Sequence, residues 1–582
     1  MKKTKYPKDF STKKEKKLII LGVNGWGEKG HDASACLLIN NQIKSFVEEE
    51  RFIRKRYAYD TFPINAIKYC LRENNLFPED IDYIAYGWDM PKMYKINGLK
   101  FPYSNKELIS ILFPKKLYST TPFKKNPELI FIGHHLAHAS SAYRTSGFKN
   151  ASILVLDGQG EDSCGMLGVA KNGDIKIIKT FPISYSLGYF MEAACVFLGL
   201  RTSDAGKLMG LAAHGKPIYN FPEFNLTSDG YKVLGIKKQI SKGRDQQEVV
   251  IDFWMSVFRS RFSQNPVVKE ARFDRLKGLV VEELAISEFG KNFAASVQKS
   301  LENTILHLVS ILVKQTGEKK MVYAGGVALN CTTNGRMLTE NYLDNLYIQP
   351  AANDAGVSLG AALEVAYLKG KINFGLMDTC YFGPQYSNRE IEQVLKKLKI
   401  NYKKEKNIYK KAAVEISKGK IIGWFQGKME VGPRALGARS ILANPMLKEI
   451  HEIVNEIKSR EQWRPLAPSV IEDKIDVYFE QAHKSPFMLL TYLVKGKYLK
   501  KIPAVVHVDG TTRFQSVSKK QNPGYFNLIN EFEKITGFPI VLNTSFNIGG
   551  EPIVMTPEQA LRTFYTSSID CLAIGDFWIS KK

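Results

Sequence analysis

Cysteine is scarce in this sequence and never paired. The 582 residues carry seven, Cys36, Cys70, Cys164, Cys195, Cys331, Cys380 and Cys571, with no C-x-x-C spacing and an odd total. That argues against a disulfide framework and against a cysteine-based zinc site, and it predicts a reducing, cytoplasmic setting. Long apolar runs are missing as well. The basic leader, residues 1–17, is followed only by LIILGV before glycine and charge return, and LHLVSILV is equally short. Both fall well below the roughly 20 apolar residues of a membrane span, so no membrane association is expected. Low-complexity segments are absent, and the 44% hydrophobic content allows large cores. Acid is in deficit, with 58 Asp and Glu against 82 Lys and Arg, giving a net charge of +24. Such an excess favours anionic partners, namely nucleotides, phosphorylated metabolites or nucleic acid. The lysines are spread along the chain apart from the leader and KKLKINYKKEK, so charge alone does not argue for nucleic acid.

Histidine is sparse but concentrated. Three of the nine lie in His134-His135-Leu136-Ala137-His138. On a helix, His134 and His138 share one face a turn apart, and two carboxylates would complete a divalent-metal shell. Asp157 in LVLDGQGE and Asp354 in AANDAG are the candidates, both beside glycines where a ligand can approach. His135 points about 100° away from His134 and is not expected to ligate.

Residues 18–56 read as a strand (LIILGVN), a glycine-rich turn and a second strand within ACLLINNQIKSFVEEERF. The same pattern recurs in ASILVLDGQGEDSCGMLGVAKNGDIKIIKTF, with a hairpin through Asn-Gly. Two copies predict two lobes facing one cleft, with backbone N–H groups of the turns able to hold phosphate. A buried strand ending in Gly325-Gly326 and followed by a helix adds a nucleotide-binding signature, with Gly325, Gly326 and Asn330 as its candidates. The region 218–320 reads as an inserted helical layer, and a domain boundary is expected near residue 380.

The motifs GHDASACLL, HHLAHASSAY, LDGQGE, GKLMGLAAHGKP, AGGVALNC, NDAG, GPRALGARSILA, REQWRPLAPS, HVDGTTRFQSV and LNTSFNIGGEPIV occur in this order. The series resembles the ATP-dependent O-carbamoyltransferases of nodulation-factor and antibiotic biosynthesis, over about residues 18–575. The resemblance implies an α/β protein with two parts. Residues 18–380 would form a duplicated domain of the acetate kinase, sugar kinase, heat-shock and actin fold, and 381–582 a YrdC-like domain. YrdC-type domains use K-x-R and S-x-N motifs, matched here by Lys458-Ser459-Arg460 and Ser545-Phe546-Asn547.

By that resemblance the C-terminal part forms carbamoyl-adenylate from ATP, with Mg2+, and carbamoyl phosphate. Arg434, Arg439, Lys458, Arg460, Arg464, Arg513, Ser545 and Asn547 are the candidates for holding the phosphoryl groups, since arginine recognises them bidentately and lysine supplies a point charge. The N-terminal part would transfer the carbamoyl group to an acceptor hydroxyl beside a metal, implied to be Fe2+, on His134, His138, Asp354 and Asp157. His31 is the candidate general base or acceptor-orienting group. Asp32 would position it, and Lys207 is expected at the adenylate.

The expected acceptor is a small molecule, sugar or glycan. A hydroxymethylated nucleotide or DNA base is a less favoured alternative, and a tRNA threonylcarbamoyl-type transferase a third reading with the same fold types. Acceptor specificity is expected in loops between 218 and 290, and a homodimer is the default for a soluble enzyme.

Overall fold

The computed structural model describes residues 17–27, 30–118, 126–238, 245–266, 268, 273–274, 278–279, 282–370 and 375–581. Apart from Lys17, the basic leader lies outside them. Strands β1 (Ile19–Asn24), β2 (Ser34–Ile39) and β3 (Gln42–Glu48) form an antiparallel meander. Strands β4 (Tyr83–Tyr86) and β5 (Glu128–Phe131) add in parallel beyond β1, giving the order 3-2-1-4-5. A second sheet repeats that order. Its meander is β6 (Asn150–Leu156), β7 (Ser163–Lys171) and β8 (Asp174–Pro182), and parallel strands Lys320–Ala324 and Asn345–Tyr347 extend it beyond β6. This is the duplicated actin-like topology.

The meander corners are set by asparagine and glycine. Asn40 and Asn41 take φ of 46° and 65°, and Asn172 and Gly173 take 52° and 99°. Asparagine tolerates this left-handed region far better than most residues, and two such residues in succession match the twist of a hairpin. The first corner breaks the single strand expected through ACLLINNQIKSFV into β2 and β3.

Two helices lie between the sheets, each packed on the sheet of the other copy. Helix His134–Tyr143 follows β5 but packs on β6 and Lys320–Ala324. Helix Val357–Gly370 follows the second sheet but packs on β1, β2 and β4. The two cross where Gly360 meets Ala137, so closely that a Cβ on Gly360 would stand 1.8 Å from the Ala137 carbonyl oxygen.

The region read as a helical layer opens instead with a hairpin, Phe224–Thr227 paired with Gly230–Val233 about a Ser228-Asp229 corner. Helices Gln246–Phe262 and Glu288–Thr316 follow, the latter capped by Ser287 and ended by Gly317 at φ 70°. Its face of Leu301, Ile305, Leu308 and Leu312 is core.

The C-terminal part is built on an eight-stranded mixed sheet. Its centre runs Ile422–Phe425, Arg439–Ala443, Ile540–Ser545, Ala467–Ile471. One buried cluster contains Ile20, Leu154 and Leu542, so a continuous core joins all three large sheets. Residue 380 falls between helices Val357–Gly370 and Asn388–Lys397, where Tyr381 bridges to Glu430. Among the described residues, no helix is long and apolar enough to cross a membrane.

Candidate active site

The duplicated topology brings equivalent segments together. The β1–β2 turn carries His31 and Asp32, and the β6–β7 turn begins at Asp157. The segment after the fifth strand is the histidine helix in the first copy and the Asp354–Gly356 turn in the second. These segments lie beyond the carboxyl ends of their strands, where open α/β sheets characteristically bind ligands.

The helix begins at His134 with no capping side chain of its own. Glu161 supplies the cap from the β6–β7 turn, its Oε1 accepting from the His134 N–H at 2.9 Å and from the Asp89 N–H at 2.8 Å. A carboxylate there satisfies an otherwise unpaired N–H and suits the helix dipole. The Trp88 ring packs on His134 with centroids 3.9 Å apart.

His134 Nε2 and His138 Nε2 lie 3.1 Å apart, and they face Asp157 Oδ2 at 3.2 and 3.0 Å. Asp354 Oδ1 stands 3.5 and 3.4 Å from the same two nitrogens. All four residues are buried. Metal–ligand bonds of about 2.0–2.2 Å produce ligand–ligand edges of about 3.0–3.5 Å, so this spacing fits a divalent cation at the centre. The other oxygen of Asp157 is committed to the N–H groups of Gly158 (2.8 Å) and Gly326 (3.1 Å), which leaves Oδ2 pointing inward. Gly325 makes that approach feasible: its φ is +93°, and a Cβ there would stand 2.1 Å from the Leu156 carbonyl.

Burial works against charge on His134, but Asp354 and Asp157 outweigh it and raise the imidazole to about 10. Burial likewise opposes ionisation of Asp354, and His134 outweighs it, holding the carboxyl at about 2. The carboxylates and the imidazolium hold one another in their charged forms, a balance in which a divalent cation can take the place of the His134 proton. Two nitrogen and two oxygen donors suit Fe2+, Mn2+ or Zn2+ without selecting among them.

His31 Nδ1 lies 3.1 Å from Asp32 Oδ2, and its Nε2 is 3.9 Å from Asp354 Oδ2. Burial on the protein side opposes the charged form, but Asp354 and Asp32 raise it to about 10. The two carboxylates thus favour its protonated form. His135 turns away to Ser163 Oγ at 3.1 Å. His214 meets the Trp463 carbonyl at 3.3 Å, outside the cluster.

The K-x-R and S-x-N motifs converge. Lys458 Nζ donates to Ser545 O (2.6 Å), Ser545 Oγ (3.1 Å), Asn547 O (3.0 Å) and Asn547 Oδ1 (2.7 Å). Arg460 Nε donates to Asn455 Oδ1 at 2.6 Å. Burial and the neighbouring Arg513 push Arg434 down to about 9, and burial with Arg464 and Arg513 does the same to Arg460. Arg434 Nε, Arg460 Nη2 and Arg513 Nε are buried without a protein partner. Clustered guanidinium groups that lower one another's pKa while keeping buried donors free make a cradle of the kind that suits anions.

Arg439 does not belong to that cradle. It is fully buried, it donates to the carbonyls of Gln426, Ala438 and Pro384 at 2.9–3.1 Å, and it stacks on Phe425 at 3.7 Å. As the first residue of a central strand it faces the interior, and its donors close the loop at 384–427. The structure thus places Arg439 apart from the cavity-lining arginines with which it was expected to hold phosphoryl groups. Lys207 is at the cavity wall but is held by Glu461 (2.8 Å) and Asp204 (3.2 Å), an ion-pair link across the two parts. Asn330 also lines the cavity. Its Oδ1 caps the helix Cys331–Thr339, and its Nδ2 donates to Gln298 at 2.9 Å.

One cavity of about 1050 Å³ joins the two centres. Asp32, Asp157 and Gly326 line one end, and Arg434, Lys458, Arg460, Arg464, Arg513 and Ser545 the other. Arg56, Glu192 and Arg201 also line it, and sequence reasoning missed all three. Arg56 sits in a run of charge, RKRYAYD, that reads as solvated surface. Only its closeness to the GHDAS motif could have marked it.

Comparison with known proteins agrees with these motifs. The family described as Carbamoyltransferase N-terminus matches residues 20–363, and Carbamoyltransferase C-terminus matches 413–581. Nodulation protein NolNO of Sinorhizobium fredii is 35% identical, over 95% of this chain and 79% of its own length. The uncharacterized protein sll1178 of Synechocystis is 32% identical over 97% and 96%. Among solved structures, full-length HypF in a phosphate- and nucleotide-bound form aligns with 62% of this chain and 48% of its own, at 14% identity and a TM-score of 0.36. By its two domain matches and these relatives, the chain belongs to the carbamoyltransferase family of enzymes.

Proposed function

We propose that the protein is an ATP- and carbamoyl-phosphate-dependent O-carbamoyltransferase that works at both ends of one cavity. At the basic end, Lys458, Arg434, Arg460 and Arg513 hold the phosphoryl groups of ATP and carbamoyl phosphate. Cleavage of carbamoyl phosphate by water gives carbamate and phosphate. A carbamate oxygen then attacks the α-phosphorus of ATP and expels pyrophosphate, leaving carbamoyl-adenylate. This mixed anhydride presents AMP as a good leaving group. At the other end an acceptor hydroxyl attacks the carbamoyl carbon, the C–O bond to AMP breaks, and the hydroxyl proton is lost.

The chain's own residues orient that step. His31, held by Asp32, faces the acceptor position at the cluster edge. A divalent cation on His134, His138, Asp157 and Asp354 would act as a Lewis acid on developing oxygen charge and, by offsetting the carboxylates, draw the His31 pKa back toward neutrality. The single observation that carries the reading is the shared cavity, lined by Lys458 and Ser545 at one end and by Asp32 and Asp157 at the other. A small molecule, sugar or glycan is the acceptor class that fits a pocket of about 1050 Å³.

The test is acceptor-free turnover. Protein supplied with ATP, Mg2+, Fe2+ and carbamoyl phosphate is expected to release pyrophosphate and phosphate and to form carbamoyl-adenylate detectable by mass spectrometry. Lys458→Ala should abolish both. Pyrophosphate release that ignores carbamoyl phosphate, or that requires threonine and bicarbonate, would overturn the reading.

A further inference from the structure

The segment from Glu48 to Asp60 belongs to the N-terminal sheet by connectivity, yet it reaches both loops of the adenylate-forming end. Arg51 is 2% exposed and donates to Glu48 Oε2 and to the Gly432 carbonyl, both at 2.8 Å. Gly432 opens the loop that carries Arg434. Arg54 donates through Nη1 to the Ile553 carbonyl and through Nη2 to the Pro552 carbonyl, each at 2.7 Å. That stretch is in turn tied to the S-x-N motif. The Val554 N–H donates to Phe546 O at 2.9 Å, and Asn547 Nδ2 donates to Glu551 O at 2.5 Å. Asn547 Oδ1 holds Lys458.

The opposite end of the segment grips the metal side. The Asp32 N–H donates to the Tyr57 carbonyl, and the Asp60 N–H to the Gly30 carbonyl at 2.9 Å, bracketing His31. Between the two grips the backbone is unusual. Arg54, Tyr57, Ala58 and Asp60 have φ of 59°, 63°, 44° and 57°, and Asp32 has 53°. Non-glycine residues in the left-handed region are uncommon and each costs free energy, so such a cluster persists only where surrounding contacts over-determine it. Here those contacts are the bonds to 32, 432, 552 and 553.

We propose that Arg54 is a positioning residue that ties the Ser545–Asn547 loop to the His31–Asp32 loop, so that carbamoyl-adenylate is made only where it can be passed on. This rests on the two-centre reading above. The bidentate guanidinium grip on two successive carbonyls suits arginine and not lysine. Without it the S-x-N loop loses its anchor to the N-terminal part, while Arg434, Arg460 and Arg513 stay in place.

Arg54→Ala and Arg54→Lys in the full chain test this with two readouts. Amide hydrogen exchange over 545–553 is expected to quicken by at least about tenfold in Arg54→Ala, because two charge-assisted bonds are lost. Exchange in the core strand Ile422–Phe425 should stay at the wild-type rate. In turnover, the pyrophosphate released per carbamoylated acceptor should rise several-fold, with the KM for ATP held. Arg54→Lys should fall between wild type and alanine, and it keeps the test intact if the alanine variant does not fold. Unchanged exchange over 545–553, or a fall of both half-reactions in step with thermal stability, would overturn the proposal. A wild-type protein that makes no carbamoyl-adenylate sinks the two-centre reading instead, and the exchange measurement still reports on the tie.

Discussion

His134 and His138 point their Nε2 atoms at each other across 3.1 Å, with one oxygen of Asp157 within 3.2 Å of both. Mutual distances of 3.0–3.2 Å match the edges of a single coordination shell, as the proposed metal site requires. His138→Ala removes one direct donor. We expect Fe2+ or Mn2+ affinity, read by anaerobic calorimetry, to fall by at least about 100-fold, or about 2.7 kcal/mol. His135→Ala should leave it at the wild-type value, since that ring faces Ser163. Equal losses in the two variants would contradict the assigned shell.

Arg434 and Arg439 share the motif GPRALGAR and should behave oppositely. Arg439→Met leaves several buried carbonyls unpaired and should cost at least about 3 kcal/mol in urea unfolding, with ATP affinity of the folded fraction unchanged. Arg434→Met relieves repulsion with Arg513 and should keep stability, while carbamoyl phosphate or ATP binding weakens by at least about tenfold. Weak binding with intact stability in Arg439→Met would return that residue to the cradle.

Much of this was legible in the sequence, because the chemistry lies in short words at fixed spacing. The i, i+4 histidines needed only a helix, and the carboxylates sat near glycines, Asp157 at a strand end and Asp354 at the start of a turn. The K-x-R and S-x-N words also come together in space, through Lys458 with Ser545 and Asn547. What spacing could not reveal was direction. Arg439 starts a strand and turns inward, whereas Arg434, five residues earlier, is still in the loop and faces the cavity. Arg56 reaches the cavity through a backbone run of left-handed residues that nothing in RKRYAYD announces. The hairpin at 224–233 did carry a signal, the Asp229-Gly230 pair between β-prone residues, which the helical reading of that region passed over.

Glu192 lines the cavity with Gln247 Nε2 2.8 Å from its Oε2. Burial raises its carboxyl from 4.5 to about 7, against the lowering effects of Gln247 and His31. Between those values the folded protein binds more protons at this position than the unfolded chain, so stability from this group is present below pH 4.5 and lost as pH rises through about 7. Glu192→Gln abolishes the titration. The variant should therefore gain Tm relative to wild type at pH 8 and show no such gain at pH 4.5. Parallel Tm profiles across that range would remove Glu192 from the buried, titrating wall.

Gly360 sets the depth of the whole cluster. At the crossing of the two central helices, a Cβ on Gly360 would lie 1.8 Å from the Ala137 carbonyl oxygen and 3.0 Å from the Ser141 side chain. Ordinary contact needs well over 3 Å, so Gly360→Ala must push the helices apart. Ala137 sits between His134 and His138, and Gly360 lies six residues after Asp354, so the displacement falls on both sides of the donor set. Overpacking of this kind costs about 1–3 kcal/mol, and a site whose donors must meet within a few tenths of an ångström is affected before the fold is. We expect Gly360→Ala to lower Tm modestly and metal affinity by at least about tenfold, or about 1.4 kcal/mol. Gly375→Ala, where a Cβ meets nothing within 4 Å, should change neither. Full metal affinity in Gly360→Ala would mean that the helix crossing does not set the spacing of the histidines and carboxylates.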